Sequence, residues 1–105
     1  MKRAHEKSRR TYDLDEVKRL AQNDFLLLTK QVLVDLLSLG MTRECVVDVI
    51  LSLKQSDFYK SMTEHITRNE VYVDVYHREF GDLILYIKLK IKDGMLLVIT
   101  SFKER

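Results

Sequence analysis

The stretch that most constrains this chain is DLILYIKLKIKDGMLLVITSFK, from Asp82 to Lys103. Apolar and polar residues alternate from Leu83 to Lys92, the period of a strand with two unlike faces. Asp93-Gly94 follows, and this dipeptide suits a two-residue type I′ turn because both central positions need positive φ. A β-rich run, Met95 to Phe102, then returns. The pattern predicts a β-hairpin, and with it a register. Lys92 should face Met95, Lys90 face Leu97, Lys88 face Ile99 and Tyr86 face Ser101. Opposed residues share a face. One face then carries Leu83, Leu85, Ile87, Leu89 and Ile91 with Leu96, Val98, Thr100 and Phe102, an apolar set that must find a core. The other carries Tyr86, Lys88, Lys90 and Lys92, with Lys103 a diagonal neighbour of Tyr86. A phenol and several ammonium groups on one open sheet face can hold a phosphate backbone. The same pattern also suits a solvated face whose lysines discourage edge pairing.

The segments before the hairpin set the class. Asp13 is an N-cap with Glu16 three residues on, and Leu14, Val17, Leu20 and Ala21 fall on one helical face that ends near Asn23. Asp24 to Leu28 is a short apolar run, either a strand or an extended link. Thr29 caps a second helix, Lys30 to Leu39, stopped by Gly40. Thr42 caps a third, from Arg43 to about Leu53, expected to bury Val46, Val47, Ile50 and Leu53. Gln55 to Met62 reads as a short capped helix or turn, with Ser56 or Asp57 as cap and Phe58 and Met62 inward. Thr63 to Asn69 is polar and irregular. From Glu70 the chain is extended, with Val71, Val73 and Val75 on one face and Tyr72, Asp74 and Tyr76 on the other. Helices first and strands after predict an α+β architecture, N-terminal helices packed on the Leu/Ile face of an antiparallel sheet.

A chain of 105 residues is sized for one domain. Residues 13–105 are expected to form it, with 1–12 as a mobile basic tail. Five basic residues against Glu6 give the first ten residues a charge of +4; the total is +2, so the remainder sums to −2. Nucleic-acid binding must therefore rest on local patches. No apolar run approaches the roughly 20 residues of a membrane span. The basic start has no apolar segment behind it and does not read as a secretory signal, so the expected location is the cytoplasm. The single Cys45 fits a reducing compartment. It lies in a helical first turn, where a thiol can be activated, but no His-containing partner pattern accompanies it. One Cys and three scattered His offer no metal-ligand spacing, so neither metal nor cofactor is expected.

Four pieces can meet on the open face: Lys60, Tyr76 with His77, Tyr86 with Lys88, and Lys103. These groups suit RNA cleavage without a metal. That reaction needs a base for the ribose 2′-OH proton, cations for the phosphorane and an acid for the departing 5′-oxygen. An imidazole such as His77 titrates near neutrality and serves either way. Lys60 and Lys103 can neutralise the phosphate. A tyrosine serves as base only where ammonium groups lower its pKa. Tyrosines are equally ordinary strand residues and lysines ordinary surface ones. No Gly-rich phosphate loop, paired acidic site or nucleophile elbow favours another enzyme class.

Ser56-Asp57-Phe58-Tyr59-Lys60-Ser61-Met62-Thr63, then Asp74-Val75-Tyr76, Tyr86-x-Lys88 and Ser101-Phe102-Lys103-Glu104 closely resemble the MqsR family of bacterial toxins in order and approximate spacing. The resemblance runs from about Leu14 to the end. It implies a RelE-like α+β ribonuclease of a type II toxin–antitoxin pair, which cuts mRNA at GC-containing triplets without a metal and arrests growth. It implies a partner antitoxin with a zinc-binding part and a helix-turn-helix part, so that DNA is met only through the antitoxin. By matching position, Lys60, Tyr86 and Lys103 resemble the catalytic residues, with Tyr76, His77, Arg78 and Lys88 as substrate contacts. The family's best-known member has glutamine directly before its Asp-Val-Tyr, where this chain has Val73; either that glutamine is dispensable or a neighbour such as His77 or Arg78 supplies the contact. The alternative function is a catalytically impaired RNA- or protein-binding module on the same fold. A DNA-binding regulator ranks last, since the helix from Arg43 is otherwise apolar and acidic.

Overall fold

The computed structural model describes residues 6–63 and 72–104, with side chains described as far as residue 98. The chain runs β1 (Glu6–Lys7), α1 (Leu14–Gln22), β2 (Leu26–Leu28), α2 (Lys30–Leu39), α3 (Arg43–Ser52), a 3₁₀ turn (Gln55–Asp57), β3 (Phe58–Thr63), β4 (Tyr72–Phe80), β5 (Leu83–Lys92) and β6 (Met95–Glu104). This is an α+β fold with three α-helices and one six-stranded sheet among the described residues, in the order β1-β3-β4-β5-β6-β2. The pairing is antiparallel except at one edge, where β2 lies parallel to β6. The expectation of a wholly antiparallel sheet is corrected there. β2 and β6 are far apart in the chain, with α2, α3, the 3₁₀ turn, β3, β4 and β5 between them, so no tight turn forces them antiparallel.

The helices start and stop where their caps dictate. The side chains of Asp13, Thr29 and Thr42 accept from the amides of Glu16, Val32 and Cys45, satisfying donors that a helix start leaves open. Gly40 ends α2 at φ 67°, a left-handed conformation that costs glycine little. In α1 the buried face is Leu14, Val17, Leu20 and Ala21, as the spacing predicts. In α3 it is Val46, Val49 and Ile50, with Leu53 buried at the C-cap; Val49 takes the place expected for Val47, which packs at the margin. These residues join Leu85, Ile87, Leu89, Leu96, Val98 and Tyr76 in one core. The sheet therefore has a core face under the helices and an opposite, open face.

Asp93 and Gly94 have φ of 52° and 73°, and Lys92, Ile91, Lys90 and Leu89 pair with Met95, Leu96, Leu97 and Val98. The hairpin and its near-turn register are as the pattern predicts. Beyond Leu89 two irregularities intervene. Lys88 pairs with Thr100 and not Ile99, and Tyr86 pairs with Lys103 and not Ser101. Extra residues on a strand advance the register in this way, and alternation carries no mark of where they fall.

Three further corrections concern the segments around the hairpin. Phe58–Thr63, expected as part of a short helix, is the strand β3; the helical portion is only the 3₁₀ turn before it. Asp57 closes that turn by accepting from the Lys54 amide (2.8 Å). The polar stretch 64–71 lies outside the described residues. In β4, Tyr72, Asp74 and Tyr76 do share a face, but it is the core face: Tyr76 pairs with Ile87 and Asp74 with Leu89. Lastly, residues 6–12 are held against the sheet and are not a mobile tail. Glu6 and Lys7 pair with Met62 and Ser61. The fully buried Asp74 carboxylate accepts from the Thr11 amide (2.9 and 3.0 Å) and the Tyr12 amide (2.9 Å), and Thr11 Oγ1 meets Ser61 Oγ at 2.8 Å. Asp74→Ala leaves both amides without their acceptor. Urea denaturation is expected to show a loss of about 2 kcal/mol, the usual cost of orphaning partly buried donors that faced a charged group.

Candidate active site

The open face is assembled by a bulge. Phe58 pairs with Tyr76 and Lys60 with Val75, which leaves Tyr59 as an extra residue in β3. In a regular strand Phe58 and Lys60 would share a face. With the bulge, Phe58 turns to the core, edge-on to Tyr76 at 5.6 Å, while Lys60 turns to the open side with Val75. Val75 in turn pairs with Lys88, and His77 pairs with Tyr86. Lys60, Lys88, His77 and Tyr86 thus lie on one face of three neighbouring strands, with Lys103 directly opposite Tyr86 on a fourth. The Lys103 side chain itself lies outside the described residues.

Three rings run across this face. Tyr59 stacks on His77 with centroids 4.4 Å apart and 25° between planes, and His77 lies 5.0 Å from Tyr86. Lys88 Nζ stands 5.5 Å over the Tyr86 ring and Lys60 Nζ stands 5.3 Å from the Tyr59 ring, so each ammonium faces π density. Lys60 Nζ also donates to both oxygens of Glu6, at 2.9 and 3.0 Å. The hydrogen bond to Glu6 is the main reason that the Lys60 pKa is held above its ordinary value, against a smaller desolvation effect. The pairing with Glu6 thus favours the protonated, cationic form of Lys60. Tyr59 and Glu6 are the two participants that sequence reasoning passed over. Tyr59 comes to the face through a bulge that alternation hides, and Glu6 through a two-residue strand too short to leave a pattern.

Two expected substrate contacts are elsewhere. Tyr76 is fully buried in the core; its hydroxyl meets no hydrogen-bond partner among the described residues, and burial pushes the phenol up to about 12. Arg78 shares the core face with Leu85. Its guanidinium bonds Ser52 Oγ at 3.3 Å and lies 3.6 Å from Asp57, tying β4 to α3 and the 3₁₀ turn. His77 and Lys88 are on the open face as expected. Val73, the position where the related pattern has glutamine, is on the open face opposite Met62 and is almost fully buried. His77, four residues further on the same face, is the polar neighbour; Arg78 is not. Cys45 is half-buried at the start of α3, where hydrogen bonds with Thr42 lower its pKa. It is remote in topology from the open face.

Comparison with known proteins identifies the family. A family model described as "Motility quorum-sensing regulator, toxin of MqsA" matches residues 9–104. The mRNA interferase toxin MqsR of Escherichia coli (strain K12) is 33% identical over 92 residues, which cover 88% of this chain and 91% of that protein. The matched span takes in α1 through β6 and with them every strand that places Lys60, His77, Tyr86 and Lys103, so the chain belongs to the MqsR toxin family.

Proposed function

We propose that this protein is the toxin of a type II toxin–antitoxin pair, an endoribonuclease that cuts mRNA by attack of a ribose 2′-OH on the adjacent phosphate, without a metal, and so stops translation and growth. The observation that carries this reading is the meeting of Lys60, His77 and Tyr86 on one open face with Lys103 in register across from Tyr86. Lys60 and Lys103 neutralise the charge that builds on the phosphorane, where fixed cations act most strongly. His77 and Tyr86 are the groups able to move protons at the 2′-oxygen and the leaving 5′-oxygen. Lys88 holds a flanking phosphate. The exposed outer side of the Tyr59–His77 stack suits an unpaired base, which single-stranded RNA presents and duplex DNA does not. The RelE-like ribonuclease fold belongs to the same proposal, as does an antitoxin partner of the MqsA kind with zinc-binding and helix-turn-helix parts.

The alternative, an impaired RNA-binding module, is favoured by one observation: Val73 puts an apolar side chain on the open face where the related pattern has an amide. Incubating single-stranded RNA with the purified protein separates the two. Cleavage lost on Tyr86→Phe and Lys103→Ala is expected. Salt-dependent binding with intact RNA would instead establish the module.

A further inference from the structure

Glu6 is a carboxylate placed beside the cation that the proposed reaction most needs to give to a phosphate. Its position is built, not incidental. Asp74 grips the Thr11 and Tyr12 amides, and the chain before them runs back along β3, with Glu6 across from Met62. Lys7, the next residue, faces the other way and stands 4.2 Å over the Tyr72 ring. That leaves Glu6 on the open-face side of β1, where both of its oxygens reach Lys60 Nζ. An ammonium has three N–H donors. Glu6 engages the ammonium through both carboxylate oxygens, and an incoming phosphate oxygen meets a carboxylate already in place.

We propose that Glu6 is an anionic placeholder, occupying Lys60 in the free protein and competing with an RNA phosphate for the same ammonium. The inference rests on the cleavage site proposed above. The Glu6 side chain is 47% exposed and Lys60 is 25% exposed, so the pair is of the weak, partly solvated kind that a competing phosphodiester anion can open. Until then the placeholder holds the long lysine side chain in one orientation. When the phosphate arrives, Glu6 swings toward solvent, and the like charges of carboxylate and phosphate oppose tight binding of any RNA that does not fully engage Lys60. Glu6 is thus a positioning residue that sets affinity, and not a group that touches the reacting atoms.

The test is binding of a 2′-O-methyl RNA, which cannot be cleaved, alongside kcat and KM on the unmodified RNA at one low salt concentration. Glu6→Gln keeps the length of the side chain and the backbone pairing of β1, and removes the charge. Release of a partly exposed ion pair predicts an about three- to fivefold fall in both Kd and KM, with kcat changed by less than about twofold. In a Lys60→Ala chain the same Glu6→Gln change is expected to tighten binding by less than about twofold, since the ammonium being contested is gone. Unchanged or weaker binding in Glu6→Gln, a falling kcat, or an equal gain in both backgrounds would overturn the placeholder. Full cleavage by Lys60→Ala would instead reject the cleavage site, a result that the binding series does not produce.

Discussion

Lys60→Ala is expected to cut RNA about 10²- to 10⁴-fold more slowly than the wild-type protein, the range for losing a fixed charge at a developing oxyanion. Lys60 is on the open face because a bulge places it there, and its ion pair with Glu6 further favours its charged form. Its loss removes positive charge at the phosphorane without opening a cavity, because the side chain lies over the sheet and not in the core. Stability should therefore change by less than about 1 kcal/mol, as is usual for partly exposed pairs. The two measurements belong together: single-turnover cleavage reads the charge, and a thermal melt shows that the fold is intact. Lys60→Arg keeps a cation but not its compact shape, and should recover only part of the rate.

Tyr76 behaves in the opposite way. Its ring lies in the core against Phe58 and in register with Ile87, and it has no exposure to substrate. Tyr76→Ala removes a large buried ring and should cost about 3–5 kcal/mol in a denaturant titration, a large part of the roughly 5–15 kcal/mol that holds a domain together. Tyr76→Phe removes only a hydroxyl that is buried without a hydrogen-bond partner among the described residues. That change should be neutral or stabilising by up to about 1 kcal/mol, with cleavage unaltered. Tyr86→Phe should do the reverse, leaving stability and losing activity. A Tyr76→Phe protein that folds normally but no longer cuts RNA would return Tyr76 to the site.

The contrast between these two tyrosines marks how far the site could be read in advance. Tyr86 sits in a strand whose neighbours alternate Leu, Ile and Lys, and an Asp-Gly turn fixes which side it faces. Its pairing with the end of β6 followed almost completely. Two bulges then moved Lys103 from a diagonal position to a direct one, and a bulge is a local event that periodicity does not record. Tyr76 lies in a run of alternating Val, Tyr and Asp where both faces look half-polar. Which face was inward depended on Asp74, and Asp74 turned inward because the amides of Thr11 and Tyr12 meet it there. That contact spans more than 60 residues and has no local signature. The caps of the three helices were legible because each rests on one side chain and an amide three residues away. The strand β3 was not: QSDFYKSM satisfies helix spacing as well as strand spacing, and only its partners β1 and β4 decide between them.

In the proposed chemistry, one open face of the sheet cleaves RNA through the 2′-OH with side chains alone. The direct measurement is to digest a defined single-stranded RNA in EDTA with wild-type and Lys60→Ala protein and to identify the chemistry of the new ends. Wild type should give 2′,3′-cyclic or 3′-phosphate ends paired with 5′-hydroxyls, and Lys60→Ala should give almost none. Ends bearing 5′-phosphates, loss of cutting in EDTA, or equal cutting by the two proteins would contradict it.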